Sequence, residues 1–194
     1  MGKEKYLRVI KDLFMKSPVV DANSIGRIVK SKKKVKQYDK QLIRNLISKD
    51  QIKRLTKGFY TMHEDPSLAV FCVKPAYLGL QDALSIHNLW EQETIPIIIT
   101  SRRVRQGIRK ILGANVLIRR ISKKYLFGFE YIKQGDFYYP VSDIEKTFID
   151  MIYFKQKISE DLLKNFKKSV NEKKLRGYLK VYPEGVRKNS IFVR

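Results

Sequence analysis

Between Tyr38 and Ile47 the apolar residues Tyr38, Leu42, Ile43, Leu46 and Ile47 recur at helical spacing, and directly after them the pattern gives way to two short strand-like runs. Those runs, Ile52-Lys53-Arg54-Leu55 and Phe59-Tyr60-Thr61-Met62, are separated by Thr56-Lys57-Gly58, a turn in which glycine accepts a positive φ without steric cost. A helix from about Gln37 to Lys49 that runs straight into a tight hairpin leaves few small folds open.

Two earlier segments narrow the choice further. Tyr6, Leu7, Ile10, Leu13 and Phe14 fall on one face of a helix over residues 4–16. Pro18 and the β-branched pair Val19-Val20 end it. Asp21 or Asn23 then caps a short second helix that turns Ile25, Ile28 and Val29 inward, and the basic run Lys30-Ser31-Lys32-Lys33-Lys34 connects onward. Helix, helix, helix, hairpin over residues 1–66 is the order of a winged helix-turn-helix domain, in which the third helix enters the major groove of duplex DNA.

The polar face of that third helix carries Gln37, Lys40, Gln41, Arg44 and Ser48. Arginine can fork onto guanine O6 and N7, glutamine onto adenine N6 and N7, and lysine pairs with phosphates, so this face has the chemistry of a base reader. In the hairpin, Lys53, Arg54 and Lys57 are expected near phosphates, and Gly58 allows close backbone approach. The charge balance agrees, because residues 1–66 hold 17 Lys+Arg against 7 Asp+Glu, and the whole chain has a formal net charge of +22. Nucleic acid is the commonest partner of so basic a foldable chain, since each neutralised phosphate releases counterions. A homodimer on DNA fits such a reader. No apolar run reaches the roughly 20 residues needed to span a bilayer, so no membrane partner is expected. The start of the chain lacks an apolar leader, and Cys72 is the one cysteine, which together suggest a cytoplasmic setting.

Glu64-Asp65-Pro66-Ser67 is the expected boundary, and residues 67–194 read as a separate α+β domain. Strands are expected at Leu68–Val73, Ile95–Thr100 and 115–121, with a hairpin of Tyr125–Ile132 and Phe137–Val141 across Lys133-Gln134-Gly135-Asp136. A helix over Leu80–Leu89 buries Leu80, Ala83 and Leu84. Ser142-x-x-Glu145 has capping-box spacing ahead of a helix to about Phe154 that buries Ile144, Phe148, Ile149 and Ile152. A further helix over Ser159–Val170 carries Leu162, Leu163, Phe166 and Val170.

Residues 94–129 contain nine cations, Arg102, Arg103, Arg105, Arg109, Lys110, Arg119, Arg120, Lys123 and Lys124, and no Asp or Glu. Like charges so concentrated repel unless a polyanion neutralises them, so this secondary basic patch is also expected to face nucleic acid. An RNA-binding or ribosome-associated module is the alternative, with Tyr125, Phe137 and Tyr138 as stacking candidates. Catalysis is not expected. His63 and His87 lack metal-ligand spacing, and no phosphate loop or nucleophile elbow is present. Asp143, Glu145 and Asp150 could gather a divalent metal, which makes a metal-dependent nuclease the least favoured reading, but capping explains Glu145 and surface positions explain the others; no metal or cofactor is expected.

The segment Ile52-Lys53-Arg54-Leu55-Thr56-Lys57-Gly58-Phe59-Tyr60 resembles the winged-helix ending of AbiEi-type antitoxins. Residues 75–89, Pro75-Ala76-Tyr77-Leu78-Gly79-Leu80-Gln81-Asp82-Ala83-Leu84-Ser85-Ile86-His87-Asn88-Leu89, resemble that family's second-domain entry helix. Pro140-Val141-Ser142-Asp143-Ile144-Glu145-Lys146-Thr147-Phe148-Ile149-Asp150 resembles its later helix. The resemblance runs from about residue 20 to 155. It implies a transcriptional regulator of a type IV toxin–antitoxin system, whose first domain represses its own operon at inverted repeats and whose second counters a nucleotidyltransferase-like toxin.

Overall fold

The computed structural model describes residues 2–30 and 38–190. Gln37 and the basic residues Lys32, Lys33 and Lys34 lie outside them. The chain forms two compact units, Met1–Cys72 with Lys110–Ala114, and Val73–Arg109 with Asn115–Arg194. The first unit therefore runs to Cys72, beyond the boundary expected after Pro66.

In the first unit α1 (Gly2–Lys16) buries Ile10 and Phe14, with Leu7 and Leu13 partly covered. A two-residue strand, β1 (Val20–Asp21), leads into α2 (Ala22–Lys30). Asp21 caps α2: its Oδ1 accepts the backbone N–H groups of Asn23 and Ser24 at 2.9 and 3.0 Å, and Ser24 Oγ donates to Oδ2. The Ser24 hydroxyl chiefly holds this carboxyl below the usual aspartate range. Next, α3 (Tyr38–Ser48) buries Leu42, Ile43 and Leu46. The hairpin follows as β2 (Lys53–Thr56) and β3 (Phe59–Thr61), and β1 pairs antiparallel with β3 to give the order β1-β3-β2. Ile10, Phe14, Ile25, Val29, Leu46 and Ile52 share one core.

Pro66–Val73 is a 3-10 helix, not the strand expected over Leu68–Val73. A short apolar run without alternation fits either element. Here Asp65 decides: its carboxylate takes the Ser67 N–H at 2.8 Å and its carbonyl the Leu68 N–H, which winds the chain from its first residue.

The second unit is built on a six-stranded sheet of order β6-β7-β5-β4-β9-β8. Its strands are β4 (Ala76–Leu78), β5 (Ile97–Thr100), β6 (Gly107–Ile111), β7 (Ala114–Arg120), β8 (Phe129–Gln134) and β9 (Phe137–Ser142). β5 pairs parallel with β7 and antiparallel with β4; β4 runs parallel to β9, and β8–β9 is an antiparallel hairpin. The helices are α4 (Gln81–Ile86), α5 (Ile144–Tyr153), α6 (Glu160–Ser169), α7 (Glu172–Leu179) and α8 (Glu184–Lys188). Tyr77, Leu84, Ile99, Phe148, Phe166, Leu175 and Tyr182 belong to their common core. α4 is shorter than the helix expected over Leu80–Leu89. α6 is one residue shorter at each end than the helix expected over Ser159–Val170, those two residues being its caps, with Ser159 Oγ accepting the Leu162 N–H at its start.

The cap of α5 differs from the expected box. Asp143, one residue later than Ser142, accepts the Lys146 N–H at 2.7 Å. Ser142 instead lies in the sheet, its hydroxyl 2.7 Å from Thr147 Oγ1 and 3.4 Å from the Leu78 carbonyl. Glu145 turns away from the helix start and accepts the Asn171 N–H at 2.7 Å. Among the described residues, no helix is long and apolar enough to cross a membrane.

Candidate nucleic-acid interface

Packing of α3 on one side leaves Lys40, Gln41, Arg44 and Ser48 exposed on the other. Lys40, Arg44 and Ser48 follow at four-residue intervals, so their Cβ atoms stack along one stripe. Ile47, expected inside, joins this stripe at 38% exposure. It lies one position too far round the helix to reach the core that Leu46 and Ile43 fill. Gln41 belongs to a neighbouring stripe with Asn45 and Lys49, beside a hollow walled by Leu7 of α1. Asn45 and Ile47 share this exposed surface; in sequence a lone asparagine carries no pattern, and the apolar spacing places Ile47 in the core. Both suit a groove: asparagine forks onto adenine as glutamine does, and an aliphatic side chain can meet a thymine methyl.

At the hairpin tip, Lys57 is exposed and Gly58 has φ 83° with open space where a Cβ would sit. The Gly58 carbonyl accepts the Ala22 N–H at 2.8 Å, which ties the tip to the start of α2. Arg54 is exposed on β2. Lys53 is half-buried and its ammonium pairs with Glu64, whose hydrogen bond raises the Lys53 pKa. Its charge is thus already met by a carboxylate, unlike the arrangement expected from sequence.

In the second unit the strand directions gather most of the basic stretch at one end of the sheet. Arg102, Arg103 and Arg105 follow the end of β5, Arg120 closes β7 level with Thr100, and Lys123 and Lys124 come just after. All six are exposed. Arg109 is half-buried and donates from Nη2 to the Arg105 carbonyl at 2.7 Å. Arg119 is half-buried too, with a buried Nε that has no hydrogen-bond partner among the described residues, so it leaves the exposed patch. Lys110 is exposed on β6.

The stacking candidates are sorted in the same way. Tyr125 is buried, its ring stacked on Tyr182 at 4.4 Å between centroids. Phe137 is half-buried against Tyr139. Tyr138 is exposed, and Tyr131, not singled out in sequence, is exposed beside it.

The three carboxylates considered for a metal are all engaged otherwise. Asp150 has no exposed surface and forms an ion pair with Lys146, which is equally buried. Tyr77 Oη donates to Asp150 Oδ2 at 2.7 Å and accepts from Lys146 Nζ at 2.7 Å. Burial pulls the Lys146 pKa down and pushes those of Asp150 and Tyr77 up. Asp143 and Glu145 are also buried, and Lys174 Nζ bridges them at 3.1 Å to each. The surface positions expected for Asp143 and Asp150 are therefore wrong. His87 Nε2 lies 2.7 Å from the Ser142 carbonyl, a packed histidine.

These features define an α+β protein with a helical first unit, which offers an exposed basic and polar helix face, and a sheet-based second unit. Its fold is similar to that of the RV2827C protein from Mycobacterium tuberculosis, solved as a crystal structure, with a TM-score of 0.57 at 15% identity over 96% of this chain and 75% of that one. At that identity the likeness is one of fold. No family model matches the chain, and no curated protein matches it.

Proposed function

We propose that the chain binds duplex DNA sequence-specifically, through a winged-helix arrangement of the first unit. The observation that carries this reading is the exposed stripe of Lys40, Arg44, Ile47 and Ser48 on α3, followed by a hairpin with Lys57 exposed at its tip. Helix order, the β1-β3-β2 sheet and the basic balance of this unit support it. Arg44 is the base reader, Lys40 and Lys57 meet phosphates, and Gly58 keeps the tip slim against the backbone.

A transcriptional regulator follows from such binding. The resemblance to AbiEi-type antitoxins extends the proposal to an autorepressing antitoxin of a type IV system, acting at inverted repeats against a nucleotidyltransferase-like toxin. Co-expression with such a toxin tests that extension: restored growth supports it, and unrelieved toxicity ends it.

Arg44→Ala is expected to weaken binding to a selected cognate duplex by roughly 1–3 kcal/mol, about 5- to 150-fold, while affinity for random duplex changes far less. Equal losses on both would remove specific readout. Lys57→Ala is expected to weaken all duplexes alike and to lower the slope of log K against log salt by about one unit. An unchanged slope would take the tip away from the phosphates.

A further inference from the structure

In the β8–β9 hairpin, Lys133 lies directly opposite Tyr138, and Tyr131 opposite Pro140. Opposed residues of an antiparallel pair project from the same face, so Tyr131, Lys133 and Tyr138 share one face, with the two tyrosines as diagonal neighbours. Their exposures are 63% and 59%, while Pro140 on the same face and Tyr139 and Val141 on the other face of β9 are buried. Further along the tyrosine face, Phe129 stacks on the buried ring of Tyr77 at 5.5 Å between centroids, so the core covers that end and leaves the tyrosines open. Two large aromatic rings side by side on a hairpin and left in water are a poor solution for stability alone.

The strand directions say what surrounds them. β8 ends, and β4 and β9 begin, at the same end of the sheet where β5 and β7 finish. Tyr138 and Lys133 therefore lie at the end that carries Arg103, Arg105, Arg120 and Lys123. Asp136, in the hairpin turn, is an acidic neighbour, and Glu130 is on the opposite face of the hairpin. From β6 to β8 the sheet is five strand spacings wide, roughly 24 Å, enough to lie along several phosphates of one strand, which are spaced about 3.4 Å apart in a helix.

We propose that this end of the second unit binds unpaired nucleotides, with Tyr131 and Tyr138 as stacking platforms for bases and the neighbouring arginines and lysines tracking the phosphates. Every base has a π-face, whereas a paired base inside a duplex does not present it, so the tyrosines select single strands. The chemistry is common to DNA and RNA. It is independent of duplex reading by α3, which uses other residues of the other unit.

The test uses the full chain and fluorescence anisotropy of three labelled probes: an oligothymidylate, an oligouridylate and a random duplex of the same length. Tyr131→Ala with Tyr138→Ala is expected to weaken one or both single-stranded probes at least about tenfold, since stacking contributes roughly 1–3 kcal/mol per base. Duplex affinity and thermal midpoint stay as in the parent, and the Phe pair binds as the parent does. Arg103→Ala with Arg105→Ala lowers the salt slope for the single strands. The stronger of the two single-stranded probes assigns the ligand to DNA or RNA. Parent-like binding of the single strands by the Ala pair overturns the proposal, as does an equal loss on duplex. Loss of single-strand binding in Arg44→Ala would place that activity on α3 and also overturn it, leaving the duplex reading intact.

Discussion

Lys146 has no exposed surface, yet its ammonium is surrounded by groups that accept it: the Asp150 carboxylate one turn on, Tyr77 Oη at 2.7 Å, and the rings of Tyr77, Phe127 and Tyr182 within 5.1 to 5.8 Å. Removing one partner leaves the other charge buried and alone, which costs about 3–5 kcal/mol. Asp150→Ala is therefore expected to lower the thermal midpoint by on the order of 10 °C, measured by circular dichroism. Lys146→Met with Asp150→Leu replaces both charges by apolar groups and is expected to recover much of the loss. A double variant as unstable as Asp150→Ala would mean that packing, not the orphaned charge, sets the cost. None of this was legible in sequence, because charged residues on a helix are read as its solvent side. The segment was singled out by resemblance, but its Lys and Asp acquire meaning only when Tyr77, 69 residues earlier, closes over them.

At the scale of elements, α7 is fastened to the start of α5. Tyr178 Oη donates to Asp143 Oδ2 at 2.9 Å, Lys174 bridges Asp143 and Glu145, and Tyr178 rests edge-on against Phe127. Gly128 makes room for this contact: it has φ 69°, and a Cβ there would come within 2.8 Å of the Tyr178 ring. Burial, reinforced by the hydrogen bond to Asp143, pushes the Tyr178 hydroxyl up to about 12. The unfolded tyrosine ionises near pH 10, so the folded form holds its proton more tightly. That stability is whole below about pH 10 and is lost as pH rises toward 12. Urea unfolding of the parent should weaken across that window more steeply than that of Tyr178→Phe; parallel curves would remove the coupling. Elements formed by neighbours in sequence, such as α3, α6 and the β2–β3 hairpin, were readable from period and turn chemistry. β1 was not, since two residues carry no period and Val20 becomes a strand only by pairing with Tyr60. Nor was the basic end of the second sheet legible: the charges could be counted in sequence, but only strand direction brings them together, and the pleat of β7 in its sheet half-buries Arg119.

For the molecule as a whole, 41 cations against 19 anions leave at least 22 positive charges without an anion of their own. Exposed pairs such as Lys164–Asp161, Arg176–Glu172 and Lys188–Glu184 are local contacts one helical turn apart, of a kind worth only about 0.3–0.5 kcal/mol each. Repulsion among the unmatched cations therefore outweighs attraction at the surface, and the free protein pays in stability. Raising salt from about 0.1 M to about 1 M shortens the Debye length from roughly 10 Å to roughly 3 Å. The thermal midpoint of the free protein should rise over that range. Duplex DNA should raise it further at low salt, because a ligand bound only by the folded form stabilises it, and that added gain should shrink as salt competes for the phosphates. Differential scanning fluorimetry along the salt series, with and without DNA, reads both trends. A free-protein midpoint that falls with salt would show that ion pairs dominate the surface. A DNA-induced gain that is insensitive to salt would show that phosphate contacts are not the main source of affinity.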